Sequence, residues 1–474
     1  MIHSNEDTIY APATIPGTGA ITLIRVSGKD AFRIADQIVV CRKGNIAEAE
    51  GNTVKFGTVF QEDGQPLDEV LVSVYRAPHS YTGEDSVEIS CHASSYICSQ
   101  MMSLLSDAGG RAAGPGEFTE RAFVNGKMDL AEAEAVADLI SSQNEASHRV
   151  AFNQLKGGFS KELATMRGEL LEITSLMELE LDFSEEEVEF ADRKRLGELL
   201  DKVLSRIDDL ADSFRLGNAI RNGVPVVIVG ATNTGKSTLL NALLGDDRAI
   251  VSDIAGTTRD TVEETLNLDG MLFRFIDTAG IRETSESIEK IGIERTFRKI
   301  SEAEIVLGLL DLSKSEGEIS EEASMIAGKV DFRRQELVFL LNKEDVLGSN
   351  KNVTVANNIV SLIENKYNDV KSVLMISAKT GEGLDELKGL LSSSRKGFLG
   401  GNDAVLVTNI RHYEALRRTS EALCRVKDGL AKGIPTDLVS QDLREALYHL
   451  GTIVGEVTTD EVLGNIFSHF CIGK

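Results

Sequence analysis

The chain has 474 residues, 42% of them hydrophobic and 26% charged, a composition that argues against intrinsic disorder and leaves room for two to four folded domains. Its 75 acidic residues outnumber 50 basic ones, and the formal charge of -25 argues against a stand-alone nucleic-acid binder; any such contact needs a local patch or a partner. The five cysteines, Cys41, Cys91, Cys98, Cys424 and Cys471, are odd in number and lack paired C-x-x-C spacing, which fits free thiols in a reducing compartment.

At the N-terminus, MIHSNEDTIY carries acids where a secretory leader needs bases, and no apolar run approaches the roughly eighteen residues of a membrane span. The expected location is cytoplasmic, without membrane contact. From about residue 8 to 120, strand-like stretches such as AITLIRV (20–26) and EVLVSVYRA (69–77) are broken by glycine-bearing turns, which predicts a small α+β domain. Within it Cys91, His92 and Cys98 lie close enough to suggest a metal, but no fourth ligand follows at a usual spacing. From Leu130 to about Leu216, apolar residues recur at three and four (Leu130, Ala133, Val136, Leu139), the signature of packed helices. A second helical stretch runs from about Asn409 to the C-terminus.

Between these helical stretches, VPVVIVG, MLFRFID, EIVLGLLDL, ELVFLLNK and VLMISA are short β-rich runs alternating with helices, as a doubly wound α/β sheet requires. The segment SSSRKGFLGGND (392–403) reads as the exit linker. The expected fold class is multidomain, α/β and α, divided at 1–120, 121–217, 218–387 and 388–474, with the α/β unit inserted into a helical region. Periodicity alone does not show that the two helical halves pack together.

The run VPVVIVG-ATNTGKS-TLLNALL is a buried strand, then Gly230-x4-Gly235-Lys236-Ser237, then a helix. In that setting backbone N–H groups and the helix N-terminus face the phosphates of a nucleotide, Lys236 reaches the β and γ oxygens, and the Ser237 hydroxyl is placed on Mg²⁺. DTAG (277–280) ends the strand MLFRFID, so Asp277 arrives at the sheet edge beside this loop, able to hold magnesium through water while the Gly280 N–H meets the γ-phosphate. GTTRD (256–260) lies between the two, and Thr258 supplies the second hydroxyl ligand to Mg²⁺. Alone, each of these is an ordinary loop or turn.

Base choice rests on NKED (342–345) at the end of ELVFLLNK. Asp345 can accept from N1–H and N2–H of guanine, Asn342 supports the ring edge and the loop, and the Lys343 stem covers the base. Adenine would leave that carboxylate unpaired, and mismatches in such pockets discriminate by about 10⁴ to 10⁵. SAK (377–379) then closes the last strand, placing the Ala378 N–H near guanine O6. Five modest signals in the right order on the right strand ends predict GTP binding. The predicted contacts are Asn233, Thr234, Gly235, Lys236, Ser237 and Thr238; Ser252, Asp253, Ile254, Ala255, Gly256, Thr257 and Thr258; Asp277, Thr278, Ala279 and Gly280; and Asn342, Lys343, Asp345, Ser377, Ala378 and Lys379.

For hydrolysis, the residue after DxxG is Ile281 where many small GTPases have a water-orienting glutamine, so another group must act. Glu283, Glu286 and Glu289 follow at once, either as candidates or as a solvated face. The Asn233 amide oxygen is placed to hold a monovalent cation against the β and γ phosphates, the electrostatic task of an arginine finger.

GATNTGKSTLLN, VSDIAGTTRDTVEE and DTAGIRETSESIEKIGIER within this region resemble the MnmE (TrmE) family of tRNA-modification GTPases. Outside it the resemblance continues in DTIYAPAT, IRVSG, YTGEDSVEISCH, GEFTERAFVNGKMDLAEAEAVADLI and the terminal FSHFCIGK, so it spans the whole chain. It implies an N-terminal domain that dimerises and binds a tetrahydrofolate (5,10-methylene or 5-formyl), a helical domain built from both flanks, and an inserted Ras-like G domain. It further implies a homodimer whose potassium-stimulated G domains approach one another. The family works with the FAD-dependent flavoprotein MnmG, and with tRNA through that complex, to add an aminomethyl or carboxymethylaminomethyl group to C5 of the wobble uridine.

Carried over by motif position, Asn233, Ser252, Ile254 and Thr257 would surround potassium, Ser237 and Thr258 would hold magnesium, and Glu289 would orient the attacking water. Arg25, Glu88, Lys127 and Lys474 would hold folate, the basic groups suiting its anionic tail and the carboxylate its pterin ring. Lys236, Glu289 and Cys471 form the implied catalytic set. Cys471 is either a thiol participant or a buried anchor for the C-terminus. A prenylation reading of CIGK fails because the chain ends in Lys474 with no polybasic stretch before it.

The sequence departs from the family at Thr232, where proline is usual, at Ser252, where threonine is usual, and at His92-Ala93-Ser94, where His-Gly-Gly is typical. A hydroxyl can still ligate potassium; the last change lies near the implied folate pocket. The competing reading is a ribosome-assembly GTPase switch. Such proteins usually add a basic RNA-binding module, which this acidic chain lacks, and it carries no flavin or nicotinamide fingerprint, so redox chemistry belongs to a partner.

Overall fold

The structure is a computed structural model that describes residues 7–182, 193–245, 264–276, 299–346, 350–367, 369–393, 405–468 and 470–473. Two compact units divide the chain: 1–140, 151–208 and 414–474 form one, and 141–150 with 209–413 form the other.

The first unit opens with seven strands, β1 (Ile9–Pro12), β2 (Ile21–Ser27), β3 (Val39–Cys41), β4 (Thr53–Phe60), β5 (Pro66–Tyr75), β6 (Ser86–His92) and β7 (Arg111–Ala112), in the order β3-β4-β5-β6-β2-β1-β7. All neighbours are antiparallel except β1 and β7. The period-2 pattern of β5 sends Val70, Val72 and Val74 to one face, where they join Ile24, Val26, Val87 and Ile89 in a core closed by the helices Ala31–Ile38 and Ser95–Asp107 through Ile34, Met101 and Leu105. The opposite face carries Arg25, Glu88 and Ser73 in register, and leaves Ile21 65% and Val54 61% exposed.

In the same unit, helices from both sides of the inserted segment meet. Gly158–Asp182 packs along Thr436–Val454. The Ser420 hydroxyl donates to Asp208 Oδ1 at 2.7 Å, and Lys427 pairs with Asp201 at 2.6 Å. Leu130 and Ala133 of the helix Leu130–Ser141 bury against Leu463 and Phe467. Residues far apart in sequence thus share one core, which the helical periodicity alone left open.

The second unit is a six-stranded sheet of β8 (Val224–Val229), β9 (Glu264–Leu268), β10 (Met271–Phe275), β11 (Ile305–Asp311), β12 (Glu336–Asn342) and β13 (Ser372–Met375), ordered β13-β12-β11-β8-β10-β9. Among the described residues only β9, the hairpin partner of β10, is antiparallel. Every residue of β8 and β11 is buried. Alternate residues feed two cores: Val226 and Ile228 meet Leu239, Leu240 and Leu243 on one face, and Val227 and Val229 meet Ile319, Ala323 and Ile363 on the other. Burial on both faces explains why these strands read as unbroken apolar runs. The helix Leu384–Ser393 extends into the first two residues of the expected linker; 394–403 otherwise lie outside the described residues. In a sheet of this topology, ligands bind beyond the carboxyl ends of the parallel strands.

Candidate functional site

β8 delivers the chain to the loop Gly230–Gly235 and the helix Lys236–Leu244. Gly235 is needed twice over: its φ is +98°, and a Cβ there would lie 2.5 Å from Asn342 Nδ2. The Thr234 side chain is buried and its hydroxyl donates to Ala231 O at 2.9 Å, tightening the loop from inside. Asn233 is exposed on the rim with φ +60°. Lys236 Nζ folds over the loop, donating to Gly230 O at 2.9 Å and Ala231 O at 2.7 Å. Burial pushes its pKa below the ordinary lysine value. Ser237 stands half-buried beside it and Thr238 is exposed. An ammonium, free helix N–H groups and a hydroxyl therefore share one helix start, the arrangement that receives polyphosphate.

β12 and β13 supply the other half. Asn342 is buried and bridges the two halves: Nδ2 donates to Thr234 O at 2.7 Å, while Oδ1 accepts from the Ala378 N–H at 2.9 Å. That N–H, expected beside guanine O6, is here engaged by the asparagine. Asp345 is exposed, and its Oδ1 accepts from the buried Ser377 hydroxyl at 2.8 Å, which fixes the carboxylate plane. Lys343 has φ +73° and pairs with Asp311 Oδ2 at 2.6 Å. Burial opposes the Asp311 charge, but hydrogen bonds from Lys343 and Ser313 outweigh it and hold its pKa below the usual carboxylate value. Lys379 is exposed next to this group. Sequence reasoning missed Asp311 and named Ser377 only as a nucleotide contact, not as the group that holds Asp345; the one available signal was that Asp311, like Asn342, ends a parallel strand.

Of the remaining expected nucleotide and metal contacts, Ser252, Asp253, Ile254, Ala255, Gly256, Thr257, Thr258, Asp277, Thr278, Ala279 and Gly280 lie outside the described residues, as do Glu289 and Lys474. The Ile276 N–H donates to Val226 O at 2.9 Å, so the chain leaves β10 alongside β8 just before Asp277.

In the first unit, Arg25 and Glu88 are register partners on β2 and β6. Arg25 Nε and Nη2 both donate to Glu88 Oε1, at 3.0 and 2.9 Å. The guanidinium carbon lies 4.9 Å from the Tyr81 ring centroid and 5.6 Å from that of Phe118. The Tyr81 hydroxyl is 2.9 Å from Thr119 Oγ1, and burial raises its pKa. Lys127 Nζ donates to Pro78 O at 2.9 Å, on the loop that carries Tyr81. The two expected folate residues on the sheet are thus in contact and flanked by aromatic faces. Tyr81 and Phe118 escaped notice because nothing in YTGED or GEFTER marks an aromatic as facing Arg25.

The C-terminal segment docks on the same unit. Ile472 forms an antiparallel bridge with Pro115, and the Gly116 N–H donates to Cys471 O at 3.4 Å. Gly473 has φ +97°, and a Cβ there would collide with the Pro12 carbonyl oxygen, so the FCIGK glycine is a steric requirement. Pro12 follows Ala11, the register partner of Arg25. Cys471 itself is exposed, which overturns the buried-anchor alternative; the anchors are Phe467, which is buried, and Phe470, packed with it against Leu130 and Ala133. Cys91, by contrast, is buried and its pKa is raised to about 11, chiefly by that burial. Among the described residues no three ligand side chains gather to hold a metal, so the Cys91–His92–Cys98 grouping does not form one.

Comparison with known proteins covers both units. Residues 8–127 match the family model for the GTP-binding protein TrmE N-terminus, and residues 130–471 match the MnmE helical domain. The chain is 52% identical over 473 residues to the tRNA modification GTPase MnmE of Bacteroides fragilis, covering 99% of this chain and 100% of that one. It is 51% identical to that of Bacteroides thetaiotaomicron and 50% identical to that of Flavobacterium johnsoniae, with the same coverage. A solved structure of Era from Aquifex aeolicus is 29% identical over 42% of this chain and 66% of its own, at a TM-score of 0.28. With full-length identity of this order and both family models matched, the chain belongs to the MnmE (TrmE) family.

Proposed function

We propose that this protein is the GTP-hydrolysing component of the system that modifies C5 of the wobble uridine of certain tRNAs, adding an aminomethyl or carboxymethylaminomethyl group with a FAD-dependent flavoprotein partner, MnmG. The observation that carries the reading is its identity of 50 to 52%, over nearly its whole length, with proteins named tRNA modification GTPases. The loop Gly230–Gly235, braced through Asn342 to the base-side loop, supplies the nucleotide site that such an activity needs.

In this reading Lys236 leaves its two loop carbonyls to meet the β and γ phosphate oxygens, and the helix N-terminus carries the remaining phosphate charge. Asp345, held by Ser377, accepts from guanine N1–H and N2–H, while Lys343, held by Asp311, lays its stem along the base. Ser237, at the first turn of the helix, fits a magnesium ligand together with Thr258, and Mg²⁺ would neutralise charge on the phosphates. Asn233, exposed on the rim in a left-handed turn, fits a potassium ligand together with Ser252, Ile254 and Thr257. Glu289 orients the attacking water.

Arg25, Glu88, Lys127 and Lys474 would hold a tetrahydrofolate, which would supply the one-carbon unit. The Arg25–Glu88 pair between Tyr81 and Phe118 supports this, because a pterin is a flat donor–acceptor ring that suits a carboxylate edge and aromatic neighbours. Cys471 is presented in the open on a fastened tail, as a thiol participant would be. The exposed apolar side chains Ile21 and Val54 support a homodimer through the N-terminal sheet that carries them. No helix among the described residues is long and apolar enough to cross a membrane, and we place the protein in the cytoplasm. The division at 120, 217 and 387 into folate-binding, helical and G domains is part of the same reading.

The test is mass spectrometry of tRNA nucleosides from a strain lacking the gene and from its complemented counterpart. Loss of C5 aminomethyl-type wobble uridines, restored on complementation, is expected. An unchanged profile with no second gene copy would leave the GTPase and remove the tRNA reading, in favour of a ribosome-assembly switch.

A further inference from the structure

A buried charged cluster lies behind the Arg25–Glu88 group, and none of the chemistry above uses it. Arg121 is 2% exposed and Glu117 1%. Arg121 Nη2 donates to Asp7 Oδ1 at 2.7 Å and Glu117 Oε1 at 3.1 Å, while Nη1 donates to Asp7 O at 2.8 Å and Glu84 Oε1 at 3.2 Å. Arg111 completes the set, giving Nε to Asp7 Oδ2 at 2.5 Å and both terminal nitrogens to Glu117. Two guanidinium groups are thus shared among three carboxylates.

Each carboxylate also fixes a different piece of chain. Glu117 Oε2 accepts from the Gly114 N–H at 2.8 Å, at the turn whose Pro115 and Gly116 hold Ile472 and Cys471. Glu84 Oε2 accepts from the buried Ser27 hydroxyl at 2.7 Å, at the end of the strand that carries Arg25. Glu84 also closes the loop of Tyr81, because its carbonyl accepts from Ser80 Oγ at 2.5 Å. That loop is tied in turn to Asn125, two residues before Lys127, by a 2.8 Å bond to Thr82 O. Asp7 lies two residues before β1, whose Ala11 is the register partner of Arg25 and whose Pro12 carbonyl crowds Gly473.

Buried ion pairs are poor sources of stability, since apolar groups of equal volume serve as well; what a guanidinium fork adds is fixed geometry. We infer that Arg121 and Glu117 are positioning residues: they lock the Tyr81 loop and the Cys471-bearing tail to one another, so that the groups around Arg25 and the tail thiol hold a set relation. The inference deepens the folate and Cys471 reading and rests on it for its function, while the mechanical coupling stands on the contacts alone.

The test uses the full-length protein with Glu117→Gln, which keeps size but removes the charge, and Asp7→Asn, a half-exposed member, in case the first variant does not fold. Hydrogen exchange is followed in 78–85 and 470–473, binding of 5-formyltetrahydrofolate by calorimetry, and GTP hydrolysis as a check on the other unit. Expected are a rise of about tenfold in exchange in both segments together, a loss of about tenfold in folate affinity, and hydrolysis within about twofold of the parent. Exchange that rises in one segment only, or in neither, in a folded variant would overturn the coupling. If the parent protein binds no folate, the folate reading fails separately, and the paired exchange result still decides whether the lock exists.

Discussion

In the nucleotide-binding unit the functional groups stand at the carboxyl ends of parallel strands, whereas in the first unit Arg25 and Glu88 lie mid-strand on a sheet face, beneath Tyr81 and Phe118. The first arrangement works largely through backbone: loop N–H groups, a helix start, and Asn342 as a brace between two turns. The second is built from side chains on separate elements that neutralise and stack on one another, and in the proposed reading a folate would compete for them. A backbone-built site survives sequence change as long as spacing and glycines persist. A side-chain-built site depends on each partner's identity and on whatever holds those partners still.

The sharpest way to break this contrast is to change base recognition, where the hydrogen bonds to N1–H and N2–H rest on the Asp345 carboxylate. Asp345→Asn replaces a double acceptor with an amide that meets guanine N2–H donor to donor. GTP affinity should fall on the order of 10³-fold or more, and xanthosine triphosphate, with an acceptor at that position, should bind in its place. Undiminished GTP affinity in a nucleotide titration would place the base elsewhere.

Next in size is hydrolysis. Glu289→Ala should leave GTP affinity nearly intact and slow single-turnover hydrolysis by about 10²-fold, the scale of a lost general base or water-orienting group. Unchanged turnover would return that role to Glu283 or Glu286. In the same assay, hydrolysis should be faster in potassium than in sodium at equal ionic strength, and Asn233→Ala should erase the difference; equal rates for the parent protein would remove the cation from Asn233.

A smaller effect is expected in the first unit. Glu88→Gln removes the carboxylate that both holds Arg25 and faces the implied pterin, and folate affinity should drop about tenfold with no change in GTP hydrolysis. A parallel loss of hydrolysis would show that the two sites are not chemically separate.

These differences also govern what the amino-acid sequence disclosed. The five parallel strands of the second unit were readable because burial on both faces makes runs such as VPVVIV and ELVFLLN unbroken apolar stretches, and the phosphate loop because backbone binding imposes Gly230, Gly235 and Lys236 at fixed spacing; β9, ETLNL with only Leu266 buried, was not read. The Leu130–Ser141 helix followed from its period in the same way. The holds of Asp311 on Lys343 and of Ser377, itself an expected nucleotide contact, on Asp345 could not be foreseen, because each acts on a residue about thirty positions away that only sheet order brings near. Arg25, Glu88 and Lys127 were reached only by resemblance. Their neighbours Tyr81, Phe118 and Arg121 were not reached at all, since a motif string names residues without saying which of them face one another.

The smallest predicted effect concerns acidity in the first unit. Burial alone would raise the pKa of Asp7 and Glu117, but hydrogen bonds and charge from Arg111, with Arg121 adding to them, leave both below their ordinary values of 3.8 and 4.5. A carboxylate depressed on folding contributes stability that is fully present above its unfolded pKa and is lost as the pH falls through its folded one. The first unit should therefore hold its urea midpoint from neutral pH down to about the ordinary carboxylate range, then lose it steadily below. Asp7→Asn should start from a lower midpoint at neutral pH and fall less across the acid window, because one of the protons that drives the loss has no place to bind. Circular dichroism melts in urea at neutral and acid pH would show it. Parallel curves for parent and variant would mean that the charge on Asp7 contributes nothing, and that Glu117 and Glu84 carry the charge of the Arg121 network.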